Sequence, residues 1–371
     1  MTLPASLSVA IDARIAGYTA GGIAQYTLQL SRALALLGGA RYTMLLAARP
    51  REQFEIPAGV ATAKLWTPPH HRFEQWSLPI ELARLRPRVL HSVDFIPPLR
   101  RRFRSVITVH DLAFLRYPET MTAESHRYYG QLDRAVRSAE RFVAVSEATR
   151  ADLIALLGAD DARIRVIPHG LDPFCSPRSE VEQARVRQRH GLAGRFVLWV
   201  GTFEPRKNVP TLLRAFASMR DRDPTLTLAL VGRRGWLDAP IFELIQTTRL
   251  GRGVQVLEGV PRADLPGLYS AAAAFAFPSR YEGFGLPILE AMACGAPVVA
   301  ADVSSLPEVL GEAGLLVSPD DPDSLAEALR RVLDDPALAA ELRHRGLARA
   351  AQFSWDRAAR ATLTAYREAA A

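Results

Sequence analysis

Short apolar runs alternate with amphipathic stretches along most of this chain. Runs rich in β-branched residues, such as SLSVAID (6–12) and SVITVHD (105–111), predict buried strands. The stretch IAQYTLQLSRALALLG instead places Tyr26, Leu30 and Leu34 at helical spacing, which predicts an amphipathic helix. Strands that alternate with helices are typical of parallel sheets with helices on both faces, so the pattern predicts an α/β protein.

The alternation runs through the chain twice. The first series closes with IRVIPHGLD near residue 168, and a second begins at RFVLWV after the polar stretch SPRSEVEQARVRQRHGLAG. A chain of 371 residues is also too long for one ordinary domain. We therefore expect two doubly wound, Rossmann-like domains at 1–168 and 169–353. Ligands of such sheets bind beyond the carboxyl ends of the strands, so the expected site is the interdomain cleft if those edges face each other.

Two glutamates flank a glycine-rich turn in PSRYEGFGLPILE (278–290). The preceding AAAAFAFPS predicts a buried strand, and Pro287 fits the first turn of a helix. Glu282 is then expected on the loop and Glu290 about one turn into the helix, where backbone N–H groups can meet an anion. Carboxylates beside an anion site suit a ligand with both hydroxyls and a phosphate. The alternative is a surface glutamate next to an ordinary turn.

A second motif, GTFEPRKN (201–208), places Arg206 and Lys207 between a predicted strand and a predicted helix. Of the 46 basic residues, only Lys64 and Lys207 are lysines, and lysine suits a phosphate as a compact charge. Cations at a helix N-terminus oppose the helix dipole, which is easier to explain if an anion lies between them. A diphosphate leaving group would need this arrangement. The alternative is a pair of solvated charges.

Histidines are concentrated in the first half of the chain. His110 follows the strand SVITV, at the edge where ligands of a doubly wound sheet bind, although a local capping role is an equal alternative. His91 has the same predicted location, and His169 falls at the predicted domain junction. His70 and His71 lie in a proline-flanked loop and are expected at the surface.

Other candidate chemistry is weaker. Gly21 and Gly22 follow the first strand and permit close approach of a diphosphate to the backbone, or simply form a flexible loop; they do not form a dinucleotide fingerprint. The two cysteines, Cys175 and Cys294, provide neither a disulfide framework nor a zinc site, which favours a reduced, cytoplasmic setting. No metal is expected, because no His, Asp and Glu set has metal-ligand spacing.

The positive charge is unevenly distributed. Residues 1–168 contain 22 Lys and Arg against 15 Asp and Glu, whereas residues 169–371 contain 24 of each kind. A basic first half suggests an anionic partner, or else a solvated arginine-rich face. Nucleic acid is not expected, because no RNA- or DNA-binding module is visible. No apolar run reaches 18 residues, and the first residues lack a signal-peptide pattern, so neither a membrane span nor a leader is expected.

Taken together, several motifs resemble a known family. GTFEPRKN, PSRYEGFGLPILEAMACGAPVVAADVSSLPEV, GEAGLLVSPDD, TVHDLAF and AVSEATRADL are similar to those of retaining nucleotide-sugar glycosyltransferases of family four, which have the GT-B fold. The segments AGGIAQYTLQL and EQWSLPIELARLRPRVLHSVDFIPP resemble the subgroup that builds bacterial surface polysaccharides such as O-antigen, often with mannose. The resemblance implies a hexosyltransferase, with GDP-mannose the favoured donor, and a helix from residue 354 that crosses back to the first domain.

The resemblance also implies roles for individual residues. Arg206 and Lys207 match the cations on the donor diphosphate, which makes a metal unnecessary. Glu282 matches a residue near the transferred sugar, Glu290 one that binds the ribose, and His110 one near the sugar's hydroxymethyl group. The other donor-binding positions implied are Gly22, Gly201, Phe284, Gly285 and Leu286. Thr202 departs from the pattern, since many relatives have arginine there, so the diphosphate is expected to depend more on Arg206 and Lys207.

The implied acceptor is a glycan or lipid-diphosphate-linked glycan, and the basic first domain is expected to meet an anionic membrane surface. Three other functions stay open at this point. A nucleotide-sugar epimerase of similar build would consume donor without an acceptor. A soluble glucan- or sucrose-type synthase would act without lipid, and a non-catalytic nucleotide-sugar-binding protein would show no turnover.

Overall fold

The structure, a computed structural model, describes residues 7–18, 21–51, 54–94, 96–118, 128–235, 237–247 and 250–371. Its strands are β1 (Ser8–Asp12), β2 (Arg41–Ala47), β3 (Ala61–Leu65), β4 (Val89–Ser92), β5 (Arg104–Val109), β6 (Arg141–Ala144), β7 (Ile164–Val166), β8 (Phe196–Phe203), β9 (Thr227–Arg234), β10 (Val254–Leu257), β11 (Ala274–Phe277), β12 (Val298–Ala301) and β13 (Gly314–Val317).

The α-helices of the same residues are α1 (Gly22–Leu37), α2 (Glu74–Leu85), α3 (Ala113–Arg116), α4 (Leu132–Ser138), α5 (Glu147–Leu157), α6 (Glu180–Arg189), α7 (Val209–Arg220), α8 (Ala239–Thr247), α9 (Leu265–Ala271), α10 (Leu286–Ala293), α11 (Leu306–Leu310), α12 (Pro322–Asp334), α13 (Pro336–Ala350) and α14 (Trp355–Ala370). None of them is long and apolar enough to cross a membrane.

The chain divides into two compact units. Unit 1 consists of Met1–Gly170 together with Ser354–Ala371, and unit 2 consists of Leu171–Phe353. The helix at the chain end, which belongs to unit 1, begins at a capped residue. Ser354 caps α14 by accepting a hydrogen bond from the Arg357 amide at 3.2 Å.

The sheet of unit 1 has seven parallel strands in the order β3-β2-β1-β4-β5-β6-β7. Its core continues into α14, where Ala359, Leu363 and Tyr366 recur at helical spacing and pack with Val9 and Tyr26. The strand order changes direction between β1 and β4, which makes the gap beyond these two strands the switch point of the sheet.

The sheet of unit 2 has six parallel strands in the order β10-β9-β8-β11-β12-β13, with its switch point between β8 and β11. The paired strands β8 and β9 approach closely at Gly201 and Gly232. A Cβ atom on Gly232 would lie 1.7 Å from the Gly201 carbonyl oxygen, so no side chain fits there. The predicted α/β architecture with two doubly wound sheets is confirmed.

Candidate functional site

Both main sequence motifs of unit 2 lie at its switch point. GTFEPRKN ends β8 and continues into the loop before α7, and PSRYEGFG connects β11 to α10. Parallel strands bring their carboxyl ends to one edge of the sheet, and β8 and β11 are neighbours. The two motifs therefore meet where a doubly wound sheet binds ligands.

The loop after β8 is held in place by Asn208. Pro205–Lys207 form a single 3-10 turn, and Asn208 follows with a φ of 55°, a left-handed conformation that asparagine tolerates better than most residues. Its side-chain amide donates to the carbonyl oxygens of Pro278 at 3.1 Å and Pro319 at 2.6 Å. Asn208 thus ties the β8 loop to the loop that carries Glu282.

Four charged side chains form a cluster at this edge. Arg206 donates from Nη2 to Glu204 Oε1 at 2.7 Å and from Nη1 to Glu282 Oε2 at 3.1 Å. Lys207 Nζ lies 2.6 Å from the other oxygen of Glu282, and its side chain is 11% exposed. Two cations and two carboxylates are formally neutral together. Sequence reasoning found three of the four residues and missed Glu204, whose only signal was an acidic residue directly after the strand.

The two carboxylates of the cluster differ in pKa. Burial acts to raise the pKa of Glu282, but the charges of Lys207 and Arg206 outweigh it and hold this pKa below its ordinary value. Burial prevails at Glu204, whose pKa is raised despite the same two cations. Glu282 is therefore the permanent counter-charge of the cluster, and Glu204 is the member that takes up a proton first as the pH falls.

The backbone of Glu282 is fixed independently of its side chain. Its amide donates to Ser304 Oγ at 3.0 Å, and Ser305 Oγ donates to its carbonyl oxygen at 3.0 Å. Glu282 is on the loop, as predicted. Its carboxylate is occupied by the two cations that the sequence assigned to the diphosphate.

The glycine-rich turn leads into α10 as predicted. Gly285 has a φ of 100°, and a Cβ atom there would lie 2.9 Å from Leu306, so glycine is required on both grounds. Leu286 is the first residue of α10, with Pro287 in the first turn and no acidic side chain there. Phe284 is buried and packs edge-to-face on Phe353 at 5.8 Å. The first turn of α10 therefore contains no acidic side chain of its own to offset the positive end of the helix dipole.

Glu290 lies about one turn into α10, as predicted, and has partners different from those of Glu282. It is half-buried, and Tyr269 donates from its hydroxyl to Glu290 Oε2 at 3.1 Å. Burial raises the pKa of Glu290 to about 7, which the Tyr269 hydrogen bond opposes. Cys175 and Cys294 are buried free thiols close to this residue, and the hydrogen bond between them and burial raise the pKa of Cys175. The two glutamates therefore differ both in their partners and in the direction of their pKa shifts.

Gly201 lies inside β8 rather than in the loop. A Cβ atom at this position would lie 2.9 Å from the Trp199 ring, so its lack of a side chain has a packing reason. Thr202 is half-buried in the same strand.

The predicted residues of unit 1 lie at two different elements. Gly22 is the first residue of α1 and is exposed. His110 directly follows β5, donates from Nε2 to the Val93 carbonyl oxygen at 3.0 Å and packs edge-on against Tyr26 at 4.8 Å. Burial lowers the pKa of His110, so its imidazole is neutral near pH 7 and Nδ1 is an acceptor.

Two other histidines of unit 1 have buried partners that the sequence did not indicate. His91 is fully buried in the core of unit 1, where its ring nitrogens lie 2.7 Å from Tyr366 Oη and 2.7 Å from Thr108 Oγ1. His70 is only partly exposed, with 33% of its side chain accessible, because its ring pairs with Asp94 and stacks on Tyr128 at 3.9 Å. Contacts distant in sequence decide both cases, since the last helix contacts β4 and Asp94 pairs with the His70 ring.

No metal centre is visible in the part of the chain that the structure describes, where no three His, Cys, Asp or Glu side chains converge.

Comparisons with known proteins agree with this arrangement. Residues 181–349 match the family model described as glycosyl transferases group 1, and residues 20–173 match the model of glycosyltransferase family 4. The chain is 38% identical over 304 residues to the O-antigen chain mannosyltransferase B of Escherichia coli, which covers 80% of this chain and 78% of that protein.

Two further relatives span nearly the whole chain. A D-inositol 3-phosphate glycosyltransferase of Frankia alni is 30% identical over 386 residues, which cover 94% of this chain and 95% of that one. The solved structure of a sucrose-phosphate synthase from Thermosynechococcus elongatus superposes with a TM-score of 0.79 at 28% identity, covering 97% of this chain and 98% of that one. The chain belongs to glycosyltransferase family 4, the glycosyl transferases group 1, and is a retaining hexosyltransferase of the GT-B fold.

Proposed function

We propose that this protein transfers a mannosyl group from GDP-mannose, with retention of configuration, to a glycan or lipid-diphosphate-linked glycan in surface polysaccharide synthesis. The observation that carries the proposal is the pair of cations at the unit 2 switch point, with Lys207 2.6 Å from Glu282. The choice of sugar and pathway is supported by the similarity to the O-antigen chain mannosyltransferase B of Escherichia coli.

Arg206 and Lys207 act on the leaving group. Negative charge builds on the diphosphate as its bond to the sugar breaks, and fixed cations in a water-poor site stabilise that charge strongly. Both cations are already ordered by Glu204 and Glu282, so little reorganisation is needed when the donor binds. The leaving phosphate accepts the proton of the acceptor hydroxyl, which attacks the same face of the sugar.

The remaining donor contacts are assigned from the hydrogen-bonding groups that each residue offers. Glu282 holds hydroxyls of the transferred sugar, and Glu290 holds the ribose hydroxyls. The backbone around Phe284, Gly285 and Leu286 binds the donor at the start of α10. His110, neutral near pH 7, accepts from the hydroxymethyl group through Nδ1, and Gly22 allows the phosphate to approach the backbone.

A thermal-shift panel of GDP-, UDP-, dTDP- and ADP-sugars tests the donor. A ligand that binds the native state raises the unfolding temperature by mass action, so GDP-mannose should give the largest shift. A larger shift with another nucleotide sugar would overturn the choice of donor while leaving the transferase class intact.

A soluble sucrose-type synthase is the second candidate, because the solved sucrose-phosphate synthase is similar along nearly the whole chain. The two functions differ in acceptor. Transfer to a sugar phosphate in solution would favour the synthase, and transfer to a lipid-linked glycan would favour the polysaccharide enzyme. Donor conversion without any acceptor would indicate an epimerase, and donor binding without turnover would indicate a binding protein.

The outer face of α2 supports a place at the cytoplasmic membrane surface. Leu78 and Leu82 are buried, whereas Phe73 at the start of the helix, Trp76 and Ile80 point outward with 53%, 65% and 71% of their surface exposed. Large apolar side chains at this spacing form an outward apolar stripe, which is unusual on a water-exposed helix.

Arginines accompany these apolar side chains. The guanidinium groups lie over the aromatic rings in three pairs, namely Arg72 over Phe73 at 4.6 Å, Arg100 over Trp76 at 5.2 Å and Arg49 over Trp66 at 5.9 Å. Trp66 is itself exposed. Aromatic residues with basic neighbours fit the interface of a bilayer that contains anionic lipid, where each basic residue contributes about 1 kcal/mol.

Liposome flotation with the Trp76→Ser, Ile80→Ser double variant tests this surface. Vesicles of phosphatidylcholine with phosphatidylglycerol should float the wild-type protein at low salt, and the double variant should stay in solution. Val181→Ser is the control, because Val181 is an apolar residue with a still larger exposed fraction, 80%, but lies in unit 2. Binding that ignores anionic lipid content, or that survives the double substitution, would contradict a membrane role for α2.

A further inference from the structure

The sheet of unit 1 has its own switch point, and polar side chains gather there. Asp12 ends β1, and Asp94 lies two residues beyond the end of β4. These strands are neighbours in the sheet, with Asp12 paired to Ser92. The position is the one at which an open α/β sheet binds a ligand. The donor contacts proposed above, apart from His110 and Gly22, are all in unit 2.

An arginine in this region is already fully engaged. Arg14 is 1% exposed, and its guanidinium donates to Asp12 at 2.6 Å, to Glu74 and to the Thr67 carbonyl oxygen at 2.9 Å. Its positive charge is therefore neutralised by two carboxylates, and it is not available to bind an anion.

Beside it lies a histidine and carboxylate pair. His70 Nε2 donates to Asp94 Oδ2 at 2.6 Å, and Tyr128 donates from its hydroxyl to the Asp94 carbonyl oxygen at 2.8 Å. The tyrosine ring also stacks on the imidazole, with 3.9 Å between centroids. His70 has a φ of 59°, a backbone conformation that costs energy for a residue with a side chain. The pair is held firmly in an unusual geometry.

The other face of this pair is open. Among the described residues, none makes a hydrogen bond to His70 Nδ1, and the side chain is 33% exposed. The ring lines a cavity of about 40 Å3 with Glu74, Gln75, Tyr128 and Gln131, and with His71 and Arg72 at its edge. A cavity of that volume accommodates one or two groups the size of a water molecule or a hydroxyl.

We infer that this cavity is a subsite for a hydroxyl of an uncharged acceptor glycan, bound by His70 Nδ1 and the Glu74 carboxylate. A hydroxyl both donates and accepts, so it matches a ring nitrogen and a carboxylate oxygen at once. The Asp94 carboxylate fixes the ring orientation, as carboxylates do for ligand-binding histidines. This subsite rests on the proposed glycosyltransferase function and specifies the chemical class of its acceptor.

The charges of the subsite disfavour a phosphorylated acceptor. Glu74 lines the cavity, and Asp94 pairs with the His70 ring that faces it. The buried cation Arg14 is paired with Asp12 and Glu74. Arg72 is exposed at the rim, where its charge is screened by solvent.

Binding of model acceptors to the GDP-loaded, full-length protein tests the inference without requiring turnover. The probes are methyl α-D-mannopyranoside and mannose 6-phosphate, followed by saturation-transfer NMR. The wild-type protein should bind the neutral glycoside more tightly than the phosphate. Tighter binding of the phosphate, or no binding of the glycoside, would overturn the subsite.

Two substitutions of His70 separate a ligand role from a structural one. In His70→Gln the amide nitrogen reaches the position of Nε2 and keeps the Asp94 link, but the hydroxyl partner at Nδ1 is lost. In His70→Asn the amide occupies the position of Nδ1, so the hydroxyl partner is kept and the Asp94 link is lost. We expect His70→Gln to weaken glycoside binding about fivefold, which corresponds to one net hydrogen bond, and His70→Asn to weaken it less.

The reverse order, with His70→Asn the weaker binder, would mean that His70 only holds its loop and would overturn the inference. His344→Gln is the matched control, because His344 is an exposed histidine on α13. GDP affinity, measured in parallel, should not change in any of these variants. The proposed transferase function is tested separately. It would fail if the wild-type protein bound GDP-mannose but transferred no mannose to lipid-linked glycans.

Discussion

The two sheets of this protein share a strand order but differ in what they place at the switch point. Beyond β8 and β11, two cations are gathered around Glu282. Beyond β1 and β4, Arg14 is buried between Asp12 and Glu74, and an imidazole paired with Asp94 faces a small cavity. One backbone topology thus carries the proposed anion site in one unit and the proposed hydroxyl subsite in the other.

The difference shows which features of a doubly wound fold determine the position and the charge of its ligand. The strand order decides where a ligand lies, because parallel carboxyl ends and helix N-termini converge there. The side chains on the loops decide its charge. In unit 2 the cations form ion pairs with carboxylates that a diphosphate could partly replace. In unit 1 the cation, Arg14, is buried and paired with two carboxylates.

The largest expected effect is on Lys207. Lys207→Ala should lower transfer by about 100-fold to 1,000-fold at saturating donor, the usual loss when a preorganised group that stabilises leaving-group charge is removed. Lys64→Ala is the control, because Lys64 is the other lysine of the chain and is exposed on β3 of unit 1. If Lys207→Ala transferred the sugar at close to the wild-type rate, Lys207 would not stabilise the leaving group as proposed.

The next effect is on stability, through Glu282. Glu282→Gln should lower the free energy of unfolding by about 3 kcal/mol, because it leaves Arg206 and Lys207 without their shared counter-charge in a largely buried cluster. The folded-state pKa of Glu282 is depressed, so its stabilisation is present at neutral pH and is lost as the pH falls through that value.

Chemical denaturation measures this change. The control is Glu327→Gln, since Glu327 forms an exposed ion pair with Arg330 on α12 and should change stability by less than about 1 kcal/mol. Equal effects of the two substitutions would show that the cluster of unit 2 has no special energetic role.

The next prediction concerns the pH dependence of stability and His91, which lies at the end of β4 and is fully buried. Burial lowers the pKa of His91 to about 3 from an ordinary 6.5. The unfolded chain therefore binds more protons between these values, and stability falls by about 1.4 kcal/mol per pH unit as the pH drops below 6.5. In His91→Gln this part of the slope should vanish, as read from denaturation midpoints at several pH values. An unchanged slope would place the acid sensitivity in other groups.

The smallest expected effect concerns Glu290. With a pKa of about 7, its carboxyl gains a proton just below neutrality, and a protonated carboxyl accepts hydroxyl hydrogen bonds less well. GDP affinity should therefore fall a few-fold in the wild-type protein as the pH drops from about 8 to about 6. Isothermal titration should find lower affinity in Glu290→Gln at the higher pH, and a weaker pH dependence. Unchanged affinity for GDP in this variant would contradict the ribose assignment.

The chain of 371 residues carried enough local information to predict both sheets and most of the donor motifs. Hydrophobic period, glycine placement and Pro287 are local properties, so the strand, turn and helix around Glu282 could be predicted without any long-range contact. The two motifs PSRYEGFGLPILE and GTFEPRKN were also correctly assigned to strand ends.

Tertiary structure decided which polar groups are paired. Glu204 is drawn into the cation cluster, His91 is enclosed by Tyr366 of the last helix, and His70 is drawn inward by Asp94. These partners lie 2, 275 and 24 residues apart in the chain, so in the last two cases no local pattern connects them. Burial and ion pairing depend on how distant segments converge, and the pKa and availability of a side chain follow from that convergence rather than from its neighbours in sequence.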